Sequence, residues 1–194
     1  MIYLASQSPR RAELLQQIGV PFQKLICDID ETPFQQEVPS DYVLRMAQEK
    51  AGAGWQKVLT SGSGKMPLLA ADTTVVCNDQ ILGKPQDSED AHRILAMLSG
   101  NTHQVMTAVA LTDGDQLYSE LSVTDVVFNK LTDQLIESYI VTGEPMDKAG
   151  AYGIQGYGSV LVASISGSYS AVVGLPLMET SRLLARFNIP IWEA

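Results

Sequence analysis

Ile2-Tyr3-Leu4-Ala5-Ser6-Gln7-Ser8-Pro9-Arg10-Arg11-Ala12-Glu13-Leu14-Leu15-Gln16-Gln17-Ile18-Gly19 reads as a short buried strand, a polar loop and a helix stopped by glycine. Ser8 suits the N-cap, where a hydroxyl accepts from a backbone N–H that the helix leaves unpaired, and Pro9 suits the first helical position. Arg10 and Arg11 then fall in the first turn, where positive charge opposes the helix dipole. Such a conflict is expected where an anion binds, because the free N–H groups and the dipole already attract a phosphate.

Outward from this unit, Phe22 to Ile29 alternates enough for a strand and ends in the acidic group Asp28, Asp30 and Glu31. Ser40 to Ala53 follows a helical period, with Val43, Leu44 and Ala47 on one side and Lys50 near the C-terminal end. Trp55 to Met66, through Ser61-Gly62-Ser63-Gly64, is the linker candidate. Leu68-Leu69-Ala70-Ala71-Asp72-Thr73-Thr74-Val75-Val76-Cys77 is an apolar, β-branched run broken by one carboxylate, and predicts a central strand closed by a turn at Asn78-Asp79. Gly83-Lys84-Pro85-Gln86-Asp87 is a loop feeding a helix from Ser88 to Leu98, with Ser88 as N-cap.

Gln104 to Leu111 and Leu117 to Phe128, joined through Asp113-Gly114, are predicted to pair antiparallel. Thr132 caps a helix to Ile140, and Asp147 to Gly158 is loop-like. Val160 to Ile165 is a strand with a second hairpin through Ser166-Gly167-Ser168, and Leu177 to Phe187 is the last helix. No internal repeat is evident. Crossovers and hairpins together predict a mixed α/β fold with a cleft where loop ends meet.

With 194 residues, 45% of them hydrophobic, the chain has material for one substantial core or two small lobes. No apolar run approaches the roughly 18 residues that span a bilayer, and the N-terminus has no basic and apolar leader, so a cytoplasmic location without membrane attachment is expected. Cys27 and Cys77 sit far apart in apolar stretches and read as buried free thiols. A net charge of −9 disfavours a nucleic-acid partner, which needs a broad basic surface. A phosphate ligand must then be held by a local basic cluster.

Asp72 is the most informative residue. An ionised carboxylate inside an apolar strand costs several kcal/mol unless a cation or hydrogen bonds compensate it. The competing reading is a strand-end aspartate that caps a turn or pairs with a structural arginine. Arg10, Arg11, Lys50 and Lys84 recur where elements end and would form a phosphate clamp if those ends converge; each alone reads as a solvated charge, Lys50 as a dipole partner. Gly64-Lys65 lacks the first glycine and the Ser or Thr of a P-loop, and the Gly150 to Gly158 stretch holds no dinucleotide fingerprint. His92 and His103 are not at metal-ligand spacing, and no Ser-His pair suggests covalent catalysis.

Ser6-Gln7-Ser8-Pro9-Arg10-Arg11, Glu49-Lys50-Ala51, Ala71-Asp72-Thr73, Gly83-Lys84-Pro85-Gln86-Asp87, Ser99-Gly100-Asn101-Thr102-His103, Ala149-Gly150-Ala151-Tyr152-Gly153-Ile154-Gln155-Gly156 and Val173-Gly174-Leu175-Pro176 follow one another along the chain. This ordered set resembles that of the Maf nucleoside triphosphate pyrophosphatases over essentially the whole length. The resemblance implies a single domain over residues 1–194, with a strongly twisted central sheet flanked by helices, two lobes and a nucleotide-binding cleft, as in the Maf and ITPase folds. It also implies a nucleoside triphosphate substrate and a divalent cation, Mg2+ or Mn2+. Asp72 matches the family's proton acceptor, acting with Lys50 and Lys84. Ser6 and Arg11 match positions around the phosphates, and Glu31, Asp72 and Asp87 match the carboxylates assigned to the metal.

Arg10, Thr73 and Gln155 are similar to the dTTP/UTP branch of that family, whereas the branch acting on 7-methyl-GTP carries Trp, Gln and Glu there. A cationic methylated guanine welcomes an aromatic face and a carboxylate, while uracil and thymine offer donors and acceptors that an amide matches. The resemblance thus implies hydrolysis of dTTP and UTP, with modified pyrimidine nucleotides as further candidates, to monophosphate and pyrophosphate. Two other readings stand beside it: a nucleotide-binding regulator of septum formation without turnover, and a sister enzyme for methylated or inosine-type purine nucleotides. The oligomeric state is open, a homodimer being one assembly.

Overall fold

The computed structural model describes residues 1–62 and 64–192. In chain order the elements are β1 (Ile2–Ala5), α1 (Pro9–Gln17), β2 (Phe22–Lys24), α2 (Pro39–Ser61), β3 (Leu68–Cys77), β4 (Gln80–Leu82), α3 (Ser88–Leu98), β5 (Thr102–Thr112), β6 (Leu117–Phe128), α4 (Asp133–Val141), β7 (Val162–Ser166), α5 (Tyr169–Val173) and α6 (Leu177–Arg186), with three short 3-10 segments between α4 and β7. Seven strands make one sheet in the order β2-β1-β3-β5-β6-β7, with β4 paired to β3. β1 runs parallel to β2 and β3, while β3–β4 and β6–β7 are antiparallel. The mixed α/β class read from the sequence is what the chain adopts.

The chain gathers into two compact units: Met1–Asp72, Thr107–Ser122 and the residues from Gly174 onward form the first, and Thr73–Met106 with Val123–Val173 the second. In the first unit every residue of β1 is buried, and Ile2, Leu4, Leu15, Met46, Leu68 and Leu69 are sealed from solvent. Burial of each such side chain contributes about 1.5–3 kcal/mol before entropy is counted. Val43, Met46, Ala47, Ala51, Gly54, Trp55 and Val58 of α2 are buried at helical spacing. Gly54 permits this approach, because a Cβ there would stand 2.8 Å from Leu68 Cδ1 and 3.3 Å from Ala5 Cβ. The Trp55 ring covers the turn between β5 and β6 so closely that a Cβ on Gly114 would fall 2.2 Å from its Nε1. Trp192, which is exposed, donates its backbone N–H to Ile18 O at 3.1 Å.

The second unit has its own core of Val75, Ile94, Leu95, Leu98, Val126, Phe128, Ile136 and neighbours. His103 lies within it, 2% exposed, with Nε2 2.8 Å from the Tyr152 hydroxyl and edge-on to the Phe128 and Tyr152 rings. Its Nδ1 has no hydrogen-bond partner.

Several expected boundaries move. The predicted strand from Phe22 to Ile29 stops at Lys24, because β1, its partner, is four residues long and its pairing ends at Leu4 opposite Lys24. The linker placed at Trp55 to Met66 is helix as far as Ser61, with Gly62 closing α2 in the left-handed region; Ser63 lies outside the described residues. Lys50 is therefore mid-helix, and the dipole-partner reading fails. Asp87, not Ser88, caps α3, since Asp87 Oδ1 accepts from Asp90 N at 2.8 Å. Among the described residues no strand follows Ser166-Gly167-Ser168: Ser168 Oγ accepts from Ala171 N at 3.2 Å and starts α5 instead of closing a hairpin. β4 was unforeseen, although Asn78 and Asp79 both take the positive φ that a two-residue hairpin requires. Cys77 is buried as expected, but Cys27 is only partly so; both thiols are free.

Candidate active site

In the first unit, β1 and β3 pair in parallel up to Ala5 opposite Ala70, so the carboxyl end of β1 lies beside Ala70, from which β3 runs on to Cys77. Ligands of open α/β sheets sit just outside such ends. Ser6 follows β1 and Asp72 stands two residues beyond the last pair. Ser6 Oγ, buried, accepts from Ser8 N at 3.1 Å and from Arg11 Nη1 at 3.3 Å. Ser8 Oγ accepts from Arg11 N, the expected N-cap, and Pro9 occupies the first helical position. Arg11 Nε donates to Gly174 O at 2.8 Å, which pins the guanidinium across the turn. Burial lowers the Arg11 pKa from its ordinary value, opposed by the charges of Asp72 and Glu31, and an arginine stays cationic throughout. Arg10, one residue earlier in α1, is partly exposed.

The centre of the site is an ammonium between two carboxylates. Lys50 Nζ on α2 lies 2.6 Å from Glu31 Oε1 and 2.7 Å from Asp72 Oδ1. Asp72 is 9% exposed, so its charge is compensated by a lysine; it caps no turn, and β3 continues past it to Cys77. Tyr42, about two turns earlier on α2, donates its hydroxyl to Glu31 O at 3.0 Å; burial, then the charges of Asp72 and Glu31, pushes its pKa up to about 12.

Arg45 holds the rest of the acidic loop. Its Nε and Nη2 meet Glu37 Oε1 and Oε2 at 2.6 and 2.7 Å, Nη2 also donates to Thr32 O at 3.2 Å, and the guanidinium lies 3.8 Å over the Phe34 ring. The bond from Arg45, against the effect of burial, keeps the Glu37 carboxyl below its ordinary range. Sequence reasoning passed over Tyr42, Arg45 and Glu37. Their signal was present: Tyr42, Arg45 and Glu49 recur at the three- and four-residue spacing of one helix face.

Among the described residues no group of three or more His, Cys, Asp or Glu could hold a metal ion unaided. The donor chemistry nonetheless fits a hard cation. Glu31 and Asp72 offer converging carboxylate oxygens on one lysine, and Mg2+ is commonly bound by one or two carboxylates completed by water and substrate phosphates.

The remaining candidates belong to the second unit. Thr73 leaves β3 on the face opposite Asp72, as consecutive strand residues must. Lys84 is exposed ahead of the buried Pro85, in a loop whose Gly83 O accepts from Gly150 N at 3.0 Å. Asp87 is exposed and its Oδ1 caps α3. Gln155 is exposed in the glycine-rich loop after α4.

A strand-loop-helix turn, with a lysine shared by two carboxylates beside it, marks the first unit of this α/β protein. A family model described as Maf-like protein matches residues 1–187, and the chain belongs to the Maf family. It is 57% identical to the dTTP/UTP pyrophosphatase of Pseudoalteromonas atlantica, over 97% of this chain and 98% of that one. With the dTTP/UTP pyrophosphatases of Shigella sonnei and Chromobacterium violaceum it shares 53% and 51% identity, over 96% and 98% of this chain and 93% and 96% of theirs. The solved Staphylococcus aureus Ham1 protein aligns over 96% of this chain and 97% of that one, with 14% identity and a TM-score of 0.49, a likeness too slight to carry weight.

Proposed function

We propose that the chain, acting as one domain over residues 1–194, hydrolyses dTTP and UTP to the nucleoside monophosphate and pyrophosphate. The observation that carries this reading is Lys50 bound at once to Glu31 and Asp72, beside the Ser6–Arg11 turn, in a chain more than half identical to dTTP/UTP pyrophosphatases. Arg11, with the positive end of the α1 dipole, binds the phosphate chain. Lys50 neutralises charge as it moves onto the pyrophosphate leaving group, a role expected of Lys84 also. Asp72 Oδ1 is held by Lys50, and Oδ2 takes a proton from the water that attacks the α-phosphorus in line.

Glu31 and Asp72 would hold a Mg2+ or Mn2+ ion, which would supply further neutralisation of the phosphate oxygens, and the resemblance assigns Asp87 to the metal as well. Arg10, Thr73 and Gln155 read the base, Gln155 through an amide that offers both a donor and an acceptor to a pyrimidine. The cytoplasm, where nucleoside triphosphates are pooled, is the compartment this reading implies. No helix among the described residues is long and apolar enough to cross a membrane. The test is a panel of canonical and modified nucleoside triphosphates assayed with each cation for pyrophosphate release. Selective turnover of dTTP and UTP is expected; binding without turnover would instead favour a regulator, and preference for purines a different branch.

A further inference from the structure

Gln155 stands between two sets of backbone anchors that meet on one carboxylate. Glu144 Oε1 accepts from Gly158 N and from the Tyr139 hydroxyl, each at 2.9 Å, and Oε2 accepts from Tyr157 N at 2.9 Å. On the other side of Gln155, Gly153 N donates to the same Tyr139 hydroxyl at 3.2 Å. Three N–H groups bracketing Gln155 are thus tied, directly or through one phenol, to Glu144.

The glycines of this loop follow from the arrangement. Gly156 has φ +71°, and a Cβ there would stand 2.4 Å from Glu144 Oε2. A Cβ on Gly158 would meet Gly153 O at 2.4 Å and the Tyr139 hydroxyl at 2.6 Å. The backbone therefore passes the carboxylate at Gly156, and the Tyr139 hydroxyl and Gly153 O at Gly158, at distances that favour glycine. Partial burial alone would raise the Glu144 pKa, but the bonds from Gly158, Tyr157 and Tyr139 outweigh it and keep the carboxyl below its ordinary range. Glu144 is itself held: Lys148 Nζ donates to Glu144 O at 2.6 Å and pairs with Asp147.

We propose that Glu144 is a positioning residue for base selection: with Tyr139 it fixes the backbone on both sides of Gln155 and so sets where that amide meets a pyrimidine ring. This rests on the assignment of Gln155 to the base. A side chain on a mobile loop would have to be ordered at each binding event, whereas one on a pinned loop is ordered in advance.

The test is a double-mutant cycle of Glu144→Gln and Gln155→Ala, read as KM and kcat for UTP and dTTP. Glu144→Gln keeps the shape but turns a donor toward Tyr157 N or Gly158 N. It should raise KM about tenfold with kcat within about twofold, and speed exchange of the 157 and 158 amide protons. In the Gln155→Ala background the same change should shift KM less than about twofold, because the residue it positions is gone. Full additivity would overturn the proposal, as would a fall in kcat with KM unchanged, the mark of a smaller folded fraction. If Gln155→Ala leaves KM and the preference among bases untouched, both the proposal and the base-reading assignment fail. If Gln155→Ala changes them and Glu144→Gln does not, the proposal alone fails. Tyr139→Phe, which removes the Gly153 anchor and one bond to Glu144, carries the same cycle should Glu144→Gln not fold.

Discussion

At Asp72 the carboxylate is 2.7 Å from Lys50 Nζ and nearly sealed from solvent, so its replacement by the isosteric amide changes charge and basicity while leaving the shape. Asp72→Asn should lower kcat on dTTP and UTP by about a hundredfold or more, the usual scale of a lost general base, with nucleotide affinity largely kept. Single-turnover kinetics beside calorimetry separate these two; a variant at wild-type rate would remove Asp72 from the chemistry. Gln155→Glu tests the base. A carboxylate cannot donate to a uracil carbonyl, and a loss of about 1–3 kcal/mol, or roughly ten- to a hundredfold in kcat/KM for UTP and dTTP, is expected. Adding Arg10→Trp and Thr73→Gln should raise relative activity on 7-methyl-GTP. Unchanged pyrimidine kinetics in a folded Gln155 variant would leave the branch assignment without a physical basis.

Helix α2 carries the site more than any other element, because Tyr42, Arg45 and Lys50 all project from it toward the segment that holds Glu31 and Glu37. Its full extent was not legible, since Gly54 and Ser61-Gly62 look like breakers. Yet Gly54 serves the close approach to Leu68 and Ala5, a tertiary reason that no local pattern displays. β3 and its aspartate were legible because a lone charge inside an apolar run has few physical explanations. The Glu31–Lys50 contact was not: the residues point only to an acidic stretch, and what orients it is the Arg45–Glu37 pairing formed on folding. The hairpin between β5 and β6 offers a test of packing. Gly114 has φ +97° and a Cβ would strike the Trp55 ring, so Gly114→Ala should destabilise the protein by about 1–3 kcal/mol, measured as a shift of the urea midpoint at constant m-value.

On the scale of the whole molecule, His103 makes stability depend on pH. Burial brings its pKa down to about 4 from the ordinary 6.5. Between those values the unfolded chain binds the proton and the native protein does not, so the contribution is complete above about pH 6.5 and is lost as pH falls toward about 4, up to about 3 kcal/mol. Urea unfolding of wild type across this window should show the loss, and His103→Gln, which cannot take the charge, should show a flatter profile; equal slopes would assign the acid sensitivity to carboxylates. The products of turnover are the other global observable. Chromatography after chelation and metal add-back should give monophosphate and pyrophosphate only with the cation restored, and orthophosphate as primary product would mean that the wrong bond was assigned.

Trp55 and Trp192 differ widely, at 8% and 77% exposure. The molecule thus carries two intrinsic fluorophores of opposite character. Trp55 should emit toward the blue and resist iodide, while Trp192 should emit toward the red and be quenched. Because Trp55 lies roughly a turn and a half beyond Lys50 on α2, the iodide-resistant fraction is a label-free optical report on the helix that bears Lys50. Trp192→Phe should leave that signal alone, so that nucleotide arrival can be followed in real time with an unmodified site.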